Sequence, residues 1–373
     1  MTEPLVLAAP SVEQPESVSV PFPLSWIADQ APSLYYRAAA EVVRDSAAAA
    51  LATHVPYSSS GALLLALSQH PDGTWNERML SVPPARAESF EGVGTIPAVQ
   101  RLLEHGWSRE SPPLQRSRRI LFRLLAEDDD PSLLYELRTR QTDEELTHRG
   151  RGILREAAAA TLAQAGFEAD PRLRGAARRV IERLDAFLHS PLAEKPWIRV
   201  GNRQVLAPDA HPPSFYSLRL LAHMPLLRHE HYATMELLYE YLTQPLPRQD
   251  SAQLFGKKIL AQPHLVLGDR LPHRNALEAD VPAALLWLET MARLNFLRRN
   301  DNWMKFFERF LDDCDKTGVW HPHKGTETPR STSPFVWPMF PLAEVEGADA
   351  RWVDVTFRIG LIARLLGREI HPV

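Results

Sequence analysis

The sequence predicts an all-α protein in which antiparallel helical hairpins pack side by side, with one helix of each hairpin enclosed. Two observations predict it. Helical periodicity dominates from Pro32 onward, while alternating apolar–polar runs of strand length are scarce, residues 198–207 being the one passable candidate. In addition, two kinds of helix alternate along the chain, separated by turn residues such as Gly106, Gly166 and Asn300.

The first kind is amphipathic. Residues 171–188 place Leu173, Val180 and Ile181 on one face and a series of arginines on the other. Residues 112–125 and 301–311 repeat this design. Such helices cover a core with one face and meet solvent with the other.

The second kind is apolar nearly all round and precedes each amphipathic helix, at residues 96–105, 152–165 and 281–297. A helix with little polar surface must be enclosed on most sides, so the alternation predicts an inner ring of helices wrapped by an outer ring. Further helices are predicted at residues 33–54, 60–69, 213–225, 229–243 and 354–366.

These helices form about five and a half hairpins, close to the six of a closed barrel. The alternative is an open superhelical stack of hairpins, which usually keeps a steadier repeat length. Long connections at residues 189–212, 244–280 and 314–350 break any steady period and favour the closed ring.

Composition limits the domain count, the location and the partners. Prolines break any periodicity in residues 1–24, which we expect to be a flexible segment before one domain at residues 25–373. A formal net charge of −4 gives no indication of nucleic-acid binding, and Cys314 is the only cysteine. Without a basic, apolar leader or a long apolar run, we expect a cytoplasmic protein with no membrane span.

A short motif resembles a known family. Residues 69–75 fit the QxxxGxW repeat of squalene cyclases and their relatives, with Gln69, Gly73 and Trp75 at the defining positions. Residues 314–320 are a degenerate copy with Cys314 in place of the glutamine. The chain thus resembles the superfamily of squalene cyclases and protein prenyltransferases over roughly residues 30–370, and the resemblance implies an α/α toroid.

The resemblance does not fix any chemistry, because these repeats are structural. Acid-initiated cyclases of the superfamily use a DxDD motif, which this chain lacks. The best-placed acidic residues are Glu278 and Asp280, just before the most apolar inner helix, where the helix dipole favours anions and burial makes a carboxyl group a proton donor. Asp354 begins the last inner helix and is the third candidate catalytic residue. Asp280 and Asp354 also fit plain helix caps.

Candidate substrate-binding residues lie around these carboxyl groups. His273 and Arg274 lie just upstream of Glu278 and could pair with it, while the loop before the last helix carries Phe335, Trp337 and Phe340. Aromatic faces suit an apolar ligand or a carbocation, although core packing explains them as well. His148, Arg149 and Arg151 are expected to lie at the same pocket mouth.

No metal site is predicted, and no cofactor is indicated. His321 and His323 lie near Cys314, which superficially resembles the zinc ligands of protein prenyltransferases, but Cys314 occupies the turn motif and the rest of that pattern is missing.

Three functions remain open from the sequence. The leading one is a cyclase-like or prenyltransferase-like protein with a central pocket for a small apolar, isoprenoid-type molecule. The second is a carbohydrate-active hydrolase or lyase, which would need paired carboxylates such as Glu278 with Asp354 in an open cleft. The third is a non-catalytic toroid that binds or scaffolds. The content of the centre discriminates among them.

Overall fold

A computed structural model describes residues 19–84, 90–126, 144–271, 281–321, 333–344 and 352–373. Helices account for most of this chain, as predicted, but two small sheets accompany them. No helix in the described ranges is both long and apolar enough to cross a membrane.

Enclosed helices alternate with more exposed ones. The enclosed helices are α2 (Pro32–Arg37), α5 (Thr95–Glu104), α7 (Glu144–Gln164), α9 (Phe215–Ala222), α12 (Val281–Arg293) and α14 (Trp352–Leu365). The more exposed helices are α4 (Ser60–Leu67), α6 (Pro112–Leu125), α8 (Pro171–Leu188), α11 (Tyr232–Leu242) and α13 (Asp301–Asp312). Short helices α1 (Leu24–Gln30), α3 (Ser46–Leu51) and α10 (Pro225–Glu230) complete the set.

Some helices differ from the predicted bounds. The predicted helix at residues 33–54 is interrupted by the π-helical turn Ala38–Val43, which ends at Arg44 in the left-handed region with φ of 63°. Helix α7 begins upstream of residue 152, and the predicted helix at residues 229–243 is split between α10 and α11.

Four enclosed helices end with the same cap, which is a structural sign of repetition. The first residue past the last turn has positive φ, and its N–H and that of the next residue donate back to carbonyls of the final turn. The residues with positive φ are Gly106 after α5, Gly166 after α7, Asn295 after α12 and Gly367 after α14.

The turn motif has the geometry expected from its sequence. Trp75 is fully buried and its indole N–H donates to the Leu65 carbonyl at 2.7 Å. The Gln69 amide donates to the carbonyls of Gly73 and Pro113 and to the Ser117 hydroxyl. Both expectations, a buried tryptophan and a glutamine bonded to main-chain groups at a helix end, are confirmed.

The degenerate copy makes the same turn. Trp320 is buried, and its backbone N–H donates to the Thr356 hydroxyl on α14, as that of Trp75 donates to the Thr95 hydroxyl on α5. Gly318 has φ of 88° and lies so close to the Pro21 carbonyl that a Cβ atom would clash with it. The two motifs are therefore equivalent joints between an exposed helix and the next enclosed one.

Two sheets accompany the helices. Strand β1 (Ser19–Phe22), within the segment expected to be flexible, pairs in parallel with β6 (Glu369–Pro372). The second sheet has the order β2 (Trp197–Val200), β3 (Arg203–Leu206), β4 (Ala252–Phe255) and β5 (Lys258–Ala261). Strands β2 and β3 confirm the strand candidate at residues 198–207. The β4–β5 hairpin lies in a connection that was expected to be a loop.

The enclosed helices from α5 to α14 pack in sequence order, and α14 contacts elements next to α2. Helix α5 contacts α7, α7 contacts α9, α9 contacts α12, and α12 contacts α14. Helix α14 contacts α1 and the π-helical turn, and Arg37 at the end of α2 bonds to Glu104 at the end of α5. The ends of the helical succession are thus in contact.

Candidate functional site

The predicted site residues fall into two groups. His273, Arg274, Glu278 and Asp280 lie outside the described residues. The other four, Phe335, Trp337, Phe340 and Asp354, come together among the enclosed helices, where residues 333–344 (the central segment) cross from α9 to α5, α14 and α4.

The aromatic residues of the central segment are packed. The Phe335 ring stacks on Phe215 with centroids 4.6 Å apart and meets Tyr216 edge-on. Trp337 is half-buried beside Phe90, with the Arg101 guanidinium 4.6 Å from its ring centroid. Phe340 is almost fully buried. Protein groups therefore cover the rings of Phe335 and Phe340 and part of the Trp337 ring.

Asp354 holds the central segment. Its Oδ1 accepts the Leu342 N–H at 2.8 Å and its Oδ2 accepts the Ala343 N–H at 3.1 Å. Burial raises the pKa of Asp354 to about 6, although these bonds and nearby Arg358 act in the opposite direction. Because both oxygens accept main-chain donors, the carboxyl group positions a loop in this structure.

Three arginines, of which Arg358 is buried and the other two are half-buried, donate hydrogen bonds to carbonyl oxygens of the central segment. Arg101 donates to the carbonyls of Trp337 and Pro341, Arg219 to that of Phe335, and Arg358 to that of Met339. Burial lowers the pKa of Arg101 to about 10, still high enough to keep its charge at neutral pH.

Behind the central segment lies a buried network of ion pairs. The Arg358 guanidinium donates to Glu104 at 2.6 Å and to Glu289 at 2.9 Å, and Arg37 donates to Glu104 at 2.7 Å. Burial alone would raise the pKa of Glu104, but the charges of Arg358 and Arg37 outweigh it and hold this pKa well below its usual range.

Other members join the network from the surrounding helices. The Gln164 amide on α7 donates to the second Glu104 oxygen at 2.7 Å, and Arg293 donates to Glu289 at 2.9 Å. Burial, with Arg101 nearby, lowers the pKa of His105 to about 3, so this imidazole is neutral at pH 7. Residues from α2, α5, α7, α12 and α14 thus meet in one network.

A cavity of about 500 Å³ lies elsewhere, between α7 and the second sheet. This volume is within the range of about 300–1,000 Å³ typical of small-molecule sites. We call it the lateral cavity. Its lining combines apolar with polar residues: Leu146, His148, Arg149, Gly150, Gly152, Ile153, Glu156, Arg183, Ala210, His211, Pro212, Ser214, Gln253, Phe255, Leu260, Gln262, His264 and Leu265.

Three hydrogen-bonded residues, Glu156, Ser214 and Arg183, form part of this lining. Glu156 on α7 is buried; its Oε1 accepts the Ser214 hydroxyl at 2.7 Å and its Oε2 accepts Arg183 Nη2 at 2.6 Å. The Ser214 oxygen also caps α9 by accepting the N–H groups of Tyr216 and Ser217. Because its hydroxyl already donates to Glu156, Ser214 serves as a structural cap.

Two histidines line the cavity in neutral form. Burial lowers the pKa of His264, with Arg183 adding to the effect and Glu156 opposing it. Burial also lowers the pKa of His211, where Arg149 and Arg183 add to the effect. Neutral imidazole both donates and accepts hydrogen bonds, so these rings can meet either kind of ligand group.

The sequence indicated little of this cavity. His148 and Arg149 were expected at a pocket mouth and line the cavity, but Asp354 is not among its lining residues. Glu156, Gln262 and His264 went unnoticed, because a single glutamate inside an alanine-rich helix and two polar residues in a long connection carry no motif. The strand candidate at residues 198–207 was the one signal for the adjacent sheet.

The cavity does not have the acid pair of a glycosidase among its described residues, whose lining includes one carboxylate, that of Glu156. Near the degenerate turn, Cys314 donates to the Phe310 carbonyl and His321 bonds to Asp315. No group of three or more potential metal ligands is present in the described ranges.

Comparison with known proteins adds no name to these observations: no protein-family model, curated protein or solved structure matches the chain.

Proposed function

We propose that this chain is a small-molecule binding protein built as an α/α toroid, whose centre is structural and whose ligand occupies the lateral cavity. Ring closure is supported by the contacts of α14 with α1 and the π-helical turn, and by the contact of Arg37 on α2 with the Phe357 ring on α14. The four equivalent helix caps and the two equivalent turn motifs support a repeated hairpin. Both features agree with the resemblance to squalene cyclases and protein prenyltransferases.

The buried charges among the enclosed helices favour binding over cyclisation. A cyclase-like protein would line its pocket with apolar and aromatic groups, whereas here the ion pair of Arg358 and Glu104 lies between the described enclosed helices. Acid-initiated chemistry at Glu278 and Asp280 remains a prediction from the sequence.

The lateral cavity is the single observation that carries the proposal. It has the volume of a ligand site and a partly apolar lining, with buried polar groups at one wall. Helix α7 packs against α5, α6, α8 and α9, and the β4–β5 hairpin pairs with β3, so neighbouring elements hold both walls of the site.

Gly152 offers a direct test because it lines the cavity and has open space where a Cβ atom would point. Gly152→Phe should fill part of the cavity without a clash. Gly175→Phe is the matched control, since Gly175 lies on α8, also has open space and does not line the cavity. A phenylalanine is a better helix former than glycine at either position, so both variants should stay folded.

The measurement is ligand-observed NMR with a fragment library on wild type and both variants. We expect a set of fragments to bind wild type and Gly175→Phe, and to lose binding to Gly152→Phe. A set of fragments that binds all three proteins equally would contradict the proposal, as would a folded wild type that binds none.

A further inference from the structure

We infer that residues 46–67, which we call the outer segment, form the interface of a symmetric dimer of this chain. The segment comprises α3, the short 3-10 helix Val55–Ser58 and α4. None of its residues is among the described residues that line the lateral cavity, so this inference goes beyond the proposed function and is independent of it. It follows from the lack of charge in the segment, from the exposure of its leucines, and from the way its inner side is held.

The outer segment carries no aspartate, glutamate, lysine or arginine, although these four types make up 24% of the whole chain. Charged residues normally lie at the solvent-exposed surface of a protein, whereas the cores of protein–protein interfaces are depleted of them. A surface segment of this length without such residues therefore indicates a surface that a partner covers.

The leucines of the outer segment are exposed in the single chain. Leu51 at the end of α3 is 79% exposed, and Leu64 and Leu67 on α4 are 61% and 80% exposed. Helix α4 is also apolar on its inner side, where Leu65 is fully buried. A helix that is apolar on all sides is normally enclosed, so the exposed side of α4 is suited to a protein contact.

Helix α3 has no buried side chain, although it consists of one serine, four alanines and one leucine. Asp45 caps its N-terminus by accepting the N–H groups of Ala47 and Ala48. Helices this short are marginal in water unless packing of one face stabilises them. A partner that covers α3 would supply this packing.

The inner side of the outer segment is fixed to the framework, so its outer side is presented in one arrangement. The 3-10 helix packs on α2, and the Trp107 indole N–H donates to the Pro56 carbonyl at 2.9 Å. At the start of α4, the Glu344 carboxylate accepts the N–H groups of Ser60 and Gly61. A surface that is already ordered loses less conformational entropy when it associates.

A second copy of the chain is the partner that suits this surface. Two-fold symmetry sets the same patch of both copies face to face, so a patch of one charge would repel itself, whereas an uncharged patch does not. Homodimer interfaces are also more apolar than other protein–protein interfaces. A standard interface takes about 20–30 residues from each partner, and the outer segment supplies most of that number. A helix that lies on a membrane would instead carry lysine or arginine on its polar face, and the outer segment has neither.

The test is sedimentation velocity of the full chain over a wide range of concentration. We expect wild type to be dimeric at micromolar concentration. Leu64→Glu and Ala50→Glu should each raise the dissociation constant about a hundredfold, because each places a carboxylate inside an apolar interface on both copies. Both positions are exposed in the single chain, so both variants should keep the urea midpoint of a folded monomer.

Leu226→Glu is the matched control. Leu226 on α10 is 60% exposed, close to the value for Leu64, but lies outside the outer segment. Its replacement should leave the dissociation constant unchanged. Hydrogen exchange adds a second readout: the amides of α3 and α4 should exchange more slowly in wild type than in Leu64→Glu, while those of α8 should not differ.

Three outcomes would overturn the inference. The first is a wild type that stays monomeric at the highest concentration, and the second is a dimer that survives both Leu64→Glu and Ala50→Glu. The third is a dimer that Leu226→Glu dissociates equally well. If a monomeric wild type floats with phosphatidylcholine vesicles and Leu64→Glu does not, the outer segment binds a lipid surface and the dimer is wrong.

Discussion

Arg358 joins two glutamates and the central segment, so its removal should destabilise the whole domain. In Arg358→Met, Glu104 and Glu289 each lose a charge-assisted bond inside the protein, at 2.6 Å and 2.9 Å, and the Met339 carbonyl loses its donor. Removing one partner of a buried ion pair costs about 3–5 kcal/mol of unfolding free energy. For a chain of 373 residues, about 4 kcal/mol corresponds to a drop in melting temperature of about 5 °C.

The assay is urea unfolding at pH 7, followed by circular dichroism, with Arg299→Met as control. Arg299 pairs with Glu236 on the surface and its side chain is 39% exposed, so its loss should cost less than about 1 kcal/mol. Because the pKa of Glu104 is lowered in the folded protein, its pairing stabilises above the usual carboxyl range and is lost as the pH falls. The Arg358→Met deficit should therefore shrink in acid. Equal stability of the two variants at pH 7 would refute the network's role.

Two further predictions concern the turn motif and the central segment. Trp75→Ala should cost about 3–5 kcal/mol, as for other large core truncations, and an unchanged urea midpoint would refute the motif's packing role. Burial raises the pKa of Asp354 to about 6, so protonation of this carboxyl group favours the folded state, and its contribution to the free energy of unfolding should fall by about 2 kcal/mol as the pH rises from 4 to 7. Comparing wild type with Asp354→Asn across this range isolates the effect, and a pH-independent difference would contradict it.

Much of the helical framework could be predicted because its signals are local. The alternation of apolar and amphipathic segments located the helices, and the QxxxGxW motif predicted the burial of Trp75 and the bonds of Gln69. The break of residues 33–54 at the π-helical turn could not be predicted, since the alanine-rich sequence there favours a continuous helix. Strand β1 could not be predicted, because it forms by pairing with β6, which is about 350 residues away in the sequence.

The site was harder to predict because it depends on long-range pairing. Glu104 and Arg358 look like ordinary charged residues at the surface of a helix until α5 and α14 meet. The aromatic residues at 335–340 suggested a ligand, but the arginines that bind their main chain are distant in sequence, as Arg101 is. The lateral cavity likewise forms only where α7 lies next to the β4–β5 hairpin, and no sequence motif predicts that these two elements are neighbours.

The most direct test of the proposed function is a crystal structure of the protein soaked with the fragments that bind it in the NMR screen. We expect fragment density in the lateral cavity, with the central segment still bound by Arg101 and Arg358. Fragment density among the enclosed helices instead, with residues 333–344 displaced, would contradict the account and favour a central ligand pocket.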